Sequence, residues 1–268
     1  MNTQSAASDL EPFVLQRRKD HVAYLTLNRP EQYNALSEEM LAAMQSTLDA
    51  IAADSSVRVV VLGGAGKAFC AGHDLKQMKS TPSVEYYQRL FEACSRLMMR
   101  IQSLPQPVIA RVHGIATAAG CQLVAMCDLA VAAEGARFAV SGVNVGLFCA
   151  TPSVPLARNV GRKSAFEMLV TGEFIDAPAA MQRSLINRCV PADRLDQEID
   201  KLAQAIVGKP PSVIAAGKTL FYRQLELGVA AAYELAGGAM ACNMIDDIAQ
   251  EGVAAFIEKR NPSWSVDS

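Results

Sequence analysis

Apolar positions along the chain switch between two periods. Phe13 to Arg17 and Val22 to Leu27 are two short alternating runs flanking Lys19-Asp20, the pattern of a β-hairpin. After the loop NRPEQYN the period lengthens. Leu41, Met44, Leu48 and Ile51 recur at helical spacing behind Ser37, a natural N-cap, with Glu38 and Glu39 at the positive end of that helix. VRVVVL (57–62) is a β-branched run that reads as a buried strand closed by a glycine-rich loop. From 83 to 104, Leu90, Phe91, Cys94, Leu97, Met98 and Ile101 share one face of a long amphipathic helix, which Pro105 and Pro107 stop. VIARV (108–112) is the next strand and His113-Gly114 a tight turn. ATAAGCQLVAMCD (116–128) then opens a helix with small residues and continues as an apolar stripe. DLAVAA and a short run around Phe138 read as further strands.

Strands alternating with helices predict an α/β fold with a largely parallel sheet and right-handed crossovers. After Pro191 only helical periodicity remains, broken at Gly208-Lys209-Pro210-Pro211. The chain therefore divides into a core, residues 10–191, and a helical region, residues 192–268, whose alanine-rich tail suits packing on a partner subunit.

Composition narrows the functional classes. Of 268 residues, 51% are apolar and 19% charged, so a sizeable core is available and disorder is not indicated. The formal charge is −2, and the densest basic run, Arg17-Arg18-Lys19, reads as a solvated hairpin tip, so neither nucleic acid nor a membrane surface is an expected partner. Seven cysteines without CxxC pairs, mostly in apolar surroundings, predict free thiols in a reducing compartment. Three scattered histidines with no ligand spacing predict no metal. The N-terminus lacks an apolar leader core and transit-peptide arginines, which favours the cytoplasm, or the mitochondrial matrix in a eukaryote. Residues 138–157 carry no charge, but their Ser, Asn, Gly and Pro content suits a buried pocket wall better than a spanning helix.

Two loops hold the candidate chemistry. GGAGKAFCAGHDL (63–75) is no phosphate loop, because Ala68 stands where Ser or Thr is needed and Val61 where the first glycine belongs. Phe69 breaks the dinucleotide fingerprint, and no GxSxG elbow occurs. Taken alone, each loop reads first as a tight turn. Taken together, Cys70-Ala71-Gly72-His73-Asp74 and Ala118-Ala119-Gly120 both offer free backbone N–H groups at strand ends beside small residues. Two such donors converging on one carbonyl oxygen make an oxyanion hole, each worth about 3–4 kcal/mol. The second donor also gains from its helix N-terminus.

LNRPEQYNALS (27–37), AFCAGHDL (68–75) and HGIATAAGCQLVAMCDLAVAAEGARF (113–138) together resemble the crotonase superfamily of enoyl-CoA hydratases and isomerases. TGEFIDAPAAMQRSLINRCVP (171–191) and EGVAAFIEKR (251–260) continue the resemblance in order. It implies a crotonase-like spiral of ββα units with a C-terminal helical trimerisation region, assembled as a homotrimer or a dimer of trimers. It implies an acyl-CoA thioester as ligand and no separate cofactor, coenzyme A being part of the substrate. The matching positions make His73 and Ala119 the oxyanion N–H donors. Tyr33, Lys67, Ala68, Ala71, Gly72, Asp74 and Leu75 would surround coenzyme A, and Gly120, Ser141 and Ala150 the acyl site. Phe256 and Lys259 would approach its nucleotide end from a neighbouring subunit, although Lys259 reads equally well as a solvated helix-end charge.

The family pattern breaks at two places. Hydratases of this family deliver water with two glutamates, and the matching positions here are Gln122 and Gly142. A general acid or base contributes roughly 10²–10⁴ in rate. Three readings therefore stay open: an acyl-CoA enzyme relying on enolate stabilisation, such as a decarboxylase, isomerase or thioesterase; a non-catalytic acyl-CoA-binding protein; and a slow hydratase with another acid, whose activity Gln122→Glu with Gly142→Glu should raise. Among substitute groups, the His73 side chain could face the pocket, although a surface imidazole beside Asp74 is the favoured expectation, and His113 is expected to be satisfied by backbone. Asn144, Cys149 and Thr151 are expected on the pocket wall with Cys149 inert, and Glu85 and Glu92 on a solvated helix face.

Overall fold

In the computed structural model, which describes residues 11–264, the hairpin comprises β1 (Val14–Lys19) and β2 (Val22–Leu27), antiparallel with Val14 opposite Leu27. Asp20 and His21 both take positive φ at its tip, as a two-residue hairpin turn requires. The Arg17–Lys19 run is exposed there. In α1 (Glu38–Ala52) the Ser37 hydroxyl accepts the Met40 N–H at 3.2 Å.

From here strands arrive in pairs. β3 (Val59–Gly64) and β4 (Ala68–Cys70) precede α2 (Leu75–Ser80) and α3 (Val84–Ser103). β5 (Val108–Val112) and β6 (Ile115–Thr117) precede α4 (Ala119–Met126). β7 (Leu129–Ala133) and β8 (Arg137–Ala139) precede a 3₁₀ turn and α5 (Ala150–Asn159). The expected helix at 116–128 thus begins later, because residues 115–117 are drawn into β6. The chain continues through α6 (Arg162–Thr171), β9 (Ile175–Asp176), α7 (Ala177–Gln182), β10 (Arg188–Val190), α8 (Leu195–Val207), α9 (Pro211–Leu225), α10 (Val229–Met244) and α11 (Asp247–Glu258).

The first strand of each pair joins a six-stranded sheet, β1-β2-β3-β5-β7-β10, and the second a four-stranded sheet, β4-β6-β8-β9. Pairing is parallel except between β1 and β2 and between β8 and β9. This is the spiral of ββα units that the resemblance implied.

Period-two alternation explains how the larger sheet is covered on both faces. Val60 and Leu62 face the main core with Leu27, Phe69, Leu97, Leu123 and Phe138. Val59 and Val61 face the other way, against Leu195, Ile199 and Ala203 of α8. The helical region expected from residue 192 therefore divides physically, since α8 is part of the packed core.

In α9–α11 only Ala255 is buried. α9 is anchored by one part-buried cluster. Lys218 Nζ donates to Asp128 Oδ2 at 2.6 Å and to the carbonyls of Ile101 and Gln106, and the Tyr222 hydroxyl donates to Asp128 Oδ1 at 2.8 Å. Phe221, Leu225, Tyr233, Met240, Ile245 and Phe256 remain exposed.

Among the described residues no helix is long and apolar enough to cross a membrane, and no group of three or more His, Cys, Asp or Glu could hold a metal ion. All seven cysteines are free. The uncharged segment 138–157 departs from expectation in part. Phe138–Val140 are buried, but Asn144–Phe148 stand open to solvent along one rim.

Candidate active site

The first loop is fixed from behind by a buried asparagine. Asn34 Nδ2 donates to the carbonyls of Ala65 (2.9 Å), Ala68 (2.8 Å) and Phe69 (3.2 Å), while its Oδ1 accepts the Arg29 N–H. Ala71 N–H donates to the Tyr33 carbonyl. Leu36, wholly buried, then pairs across residue 73: its N–H donates to the Gly72 carbonyl at 2.7 Å and its carbonyl accepts the Asp74 N–H at 3.4 Å. In this parallel bridge the residues on either side of His73 are consumed. The His73 N–H is left without an acceptor among the described residues. Asp74 Oδ1 caps α2 by accepting from Lys76 and Gln77.

The second loop is pressed against the first. A Cβ on Gly120 would lie 2.0 Å from the Cys70 carbonyl oxygen, so only glycine lets α4 start so close to β4. A Cβ on Gly72, at φ +93°, would stand 2.9 Å from Ala118 Cβ and 3.2 Å from the Ala119 nitrogen. The backbone around His73 therefore runs alongside Ala119. Ala118 holds φ 49° and ψ −121°, a conformation strained for any residue with a Cβ, and its N–H donates to the Ala139 carbonyl at 3.0 Å. Ala119 follows as the first helical residue, its N–H without an acceptor among the described residues.

Both residues line a cavity of about 270 Å³. Of the predicted site residues, Ala71, His73, Leu75, Ala119, Ser141, Gly142 and Ala150 come together on its wall. Cys149, Thr151, Phe91, Leu147 and Phe148 join them. No carboxylate and no lysine or arginine lies on the lining.

The other expected residues stand outside it. Ala68 is 1% exposed and its carbonyl belongs to Asn34, so it shapes the loop rather than facing the cavity. Gly72, Asp74 and Gly120 act in loop geometry as described. Tyr33 and Lys67 are exposed nearby, and Phe256 and Lys259 are exposed at the end of α11. Gln122 is buried in α4 with no partner for its Oε1. Asn144, expected on the wall, instead donates to the Gly172 carbonyl. Glu85 and Glu92 are solvent-exposed on α3.

Three titratable groups decide what chemistry the lining permits. His113 Nε2 lies 2.9 Å from the Gly66 carbonyl, the backbone satisfaction expected of it. Cys149 Sγ accepts the Gly142 N–H at 3.3 Å, and burial pushes its thiol above the ordinary range, so it is protonated at neutral pH. His73 reverses the expectation of a surface imidazole. Its ring meets Phe91 edge-on at 5.5 Å between centroids, and both ring nitrogens are sealed from solvent without a hydrogen-bond partner. Burial holds its pKa below 6.5, weakly opposed by the Leu36 carbonyl, which lies outside hydrogen-bonding geometry for the ring. The cause of the reversal is α3: Phe91, read as a core position, is only half-buried and covers the ring. Asn34 and the hydroxyl pair of Thr117 with Ser141 (2.8 Å) went unrecognised in the sequence. The asparagine closing the loop NRPEQYN was the available sequence signal, and it takes φ +55° here.

A ββα spiral with two neighbouring unpaired N–H groups over an apolar cavity defines a crotonase-type protein. The chain belongs to the enoyl-CoA hydratase/isomerase family, which it matches over residues 17–267. It is 43% identical to the mitochondrial enoyl-CoA hydratase domain-containing protein 3 of Rattus norvegicus, over 98% of this chain and 88% of that one. The solved structure of an enoyl-CoA hydratase from Mycobacterium smegmatis is 62% identical with a TM-score of 0.94, covering 95% of this chain and 99% of that one. The human enoyl-CoA hydratase domain-containing protein 3 structure is 42% identical with a TM-score of 0.91, covering 95% and 100%.

Proposed function

We propose that this protein is an enzyme that binds an acyl-CoA thioester and stabilises its enolate between the His73 and Ala119 N–H groups, in a reaction other than efficient hydration. One observation carries the reading. Two backbone donors without acceptors border a cavity that holds no carboxylate. Preorganised donors aimed at developing negative charge give the larger part of such catalysis. Two-glutamate water addition needs groups that Gln122 and Gly142 do not supply. Isomerisation, decarboxylation or thioester cleavage fits the remaining machinery.

A non-catalytic acyl-CoA-binding role is the second reading, favoured by the protonated state of Cys149 and the lack of a carboxylate on the lining. A hydratase with an unrecognised acid is the third.

The exposed apolar residues of α9–α11 support assembly as a homotrimer or dimer of trimers. In that assembly Phe256 and Lys259 would serve a neighbour's coenzyme A. Relatives include mitochondrial proteins, which supports the matrix as the compartment should the source be eukaryotic.

The test is mass spectrometry of crotonyl-CoA incubated with near-stoichiometric protein, followed by a wider acyl-CoA panel. An unchanged crotonyl thioester with turnover of another acyl-CoA supports the first reading. Binding without any product supports the second. Hydration at a hydratase-like rate overturns both.

A further inference from the structure

We infer that the His73 imidazole is the proton-transfer group of this site, exchanging the α-proton of the bound thioester. The inference rests on the acyl-CoA reading above and adds the residue that reading lacks.

Three observations converge. The first is an orphan: both His73 ring nitrogens are buried without partners. A buried polar atom left unsatisfied costs roughly 1–3 kcal/mol, and such groups in folded proteins call for an explanation in function. His73 lines the cavity, and a turn of its ring past Phe91 as a ligand enters would bring a nitrogen to that ligand.

The second is proximity built into one residue. The His73 N–H is the proposed donor to the thioester oxygen, and the ring hangs from the same Cα. The α-carbon of a thioester is two bonds from that oxygen. A base carried by the donor residue itself is therefore held within one side chain's length of the proton to be moved.

The third is elimination. Cys149 lines the cavity, but its sulfur accepts the Gly142 N–H and its thiol is protonated. The Ser141 hydroxyl is engaged with Thr117. His113 is held by the Gly66 carbonyl and lies outside the lining. Of the titratable side chains on the lining, His73 alone has a nitrogen without a partner.

The step balances without a further reactant. A neutral ring nitrogen takes the α-proton, the C–H pair moves into the Cα–C bond, and the carbonyl pair moves onto oxygen as an enolate held by the two N–H groups. The imidazolium then returns a proton to the same carbon. In deuterated water the ring proton is replaced by deuterium, so repeated cycles label the α-carbon.

The experiment incubates butyryl-CoA, which cannot be hydrated, with the full-length protein in deuterated water. α-Deuteration is followed by mass spectrometry and binding by calorimetry. The wild type is expected to bind and to exchange. His73→Gln and His73→Ala are expected to lose exchange at least 100-fold while binding stays within a few-fold, because the backbone donor is kept. Glu92→Gln, on the solvent face of α3, is expected to exchange as wild type does. Exchange that survives in both His73 variants overturns the proposal, as does binding without exchange in the wild type or loss of exchange in Glu92→Gln. Failure of the wild type to bind butyryl-CoA or any other acyl-CoA overturns the acyl-CoA reading itself, and with it this one.

Discussion

Restoring the family's second glutamate will not restore hydration. A Cβ placed on Gly142 would lie 2.2 Å from the Leu147 carbonyl oxygen and 2.8 Å from Cys149 Sγ. The oxygen is backbone and cannot swing aside, and the Leu147 N–H is itself donated to the Gly142 carbonyl at 2.9 Å. Gly142→Glu must therefore push apart a closed turn. Overpacking of this kind costs about 1–3 kcal/mol, and a carboxylate entering a lining without cations adds a further desolvation cost. At roughly 2–4 °C per kcal/mol for a domain of this size, the melting temperature should fall by about 3–10 °C. Gln122→Glu alone keeps the shape and adds only the desolvation cost of a buried carboxylate, so it should melt below wild type but above Gly142→Glu. Hydration of crotonyl-CoA, read as loss of its enoyl absorbance, should rise by less than tenfold in the double variant. A double variant that melts within 1 °C of wild type and gains 100-fold in hydration would refute the steric argument, and with it the case against a hydratase.

Other consequences are open to direct measurement. Ala118→Gly relieves the strained backbone at φ 49° and should stabilise by about 1 kcal/mol, seen as a melting temperature raised by a few degrees; an unchanged or lowered value means the strain is absent. Lys218→Met removes the cation from Asp128, whose partners would be reduced to Tyr222 and the Val108 N–H, and should cost about 3–5 kcal/mol in urea unfolding. A loss below 1 kcal/mol would show that α9 is not anchored there. Burial holds the pKa of His73 below 6.5, so the neutral ring is the folded form. Its contribution to stability is present above pH 6.5 and is lost as pH falls through the folded value. Wild type should therefore lose more melting temperature between pH 7 and 5 than His73→Gln, and parallel curves would contradict this.

Much of the frame was legible because it depends on periodicity. The hairpin, the capped α1, the stripe on α3 and the strands VRVVVL and VIARV all follow from alternation, helical spacing and Pro or Gly boundaries. The short strands β4, β6 and β9 were not legible as strands. With two or three residues each, they carry no period, and only pairing in a second sheet makes them strands. In the site, seven of the residues that resemblance named line one cavity, while their division of labour did not show. Asn34, Gly72, Asp74 and Gly120 hold backbone in place, a role visible only once carbonyls and N–H groups are assigned partners. The His73 ring was misplaced because a histidine followed by aspartate looks solvated. The half-turn of α3 that brings Phe91 over it belongs to packing rather than local sequence.

The spiral has a consequence for how such a protein can change. Its first ββα turn supplies His73, its second supplies Ala119, and its third supplies the wall from Ser141 to Thr151. The two donors are thus spaced by adjacent strands of one sheet, and that spacing is shared by any chain that winds the same way. The third turn supplies neither donor, although its Ala139 carbonyl accepts the Ala118 N–H beside the second. On the proposed reading, the positions that would set the reaction, Gln122 and Gly142, lie on the second and third turns, and the donors on the first and second.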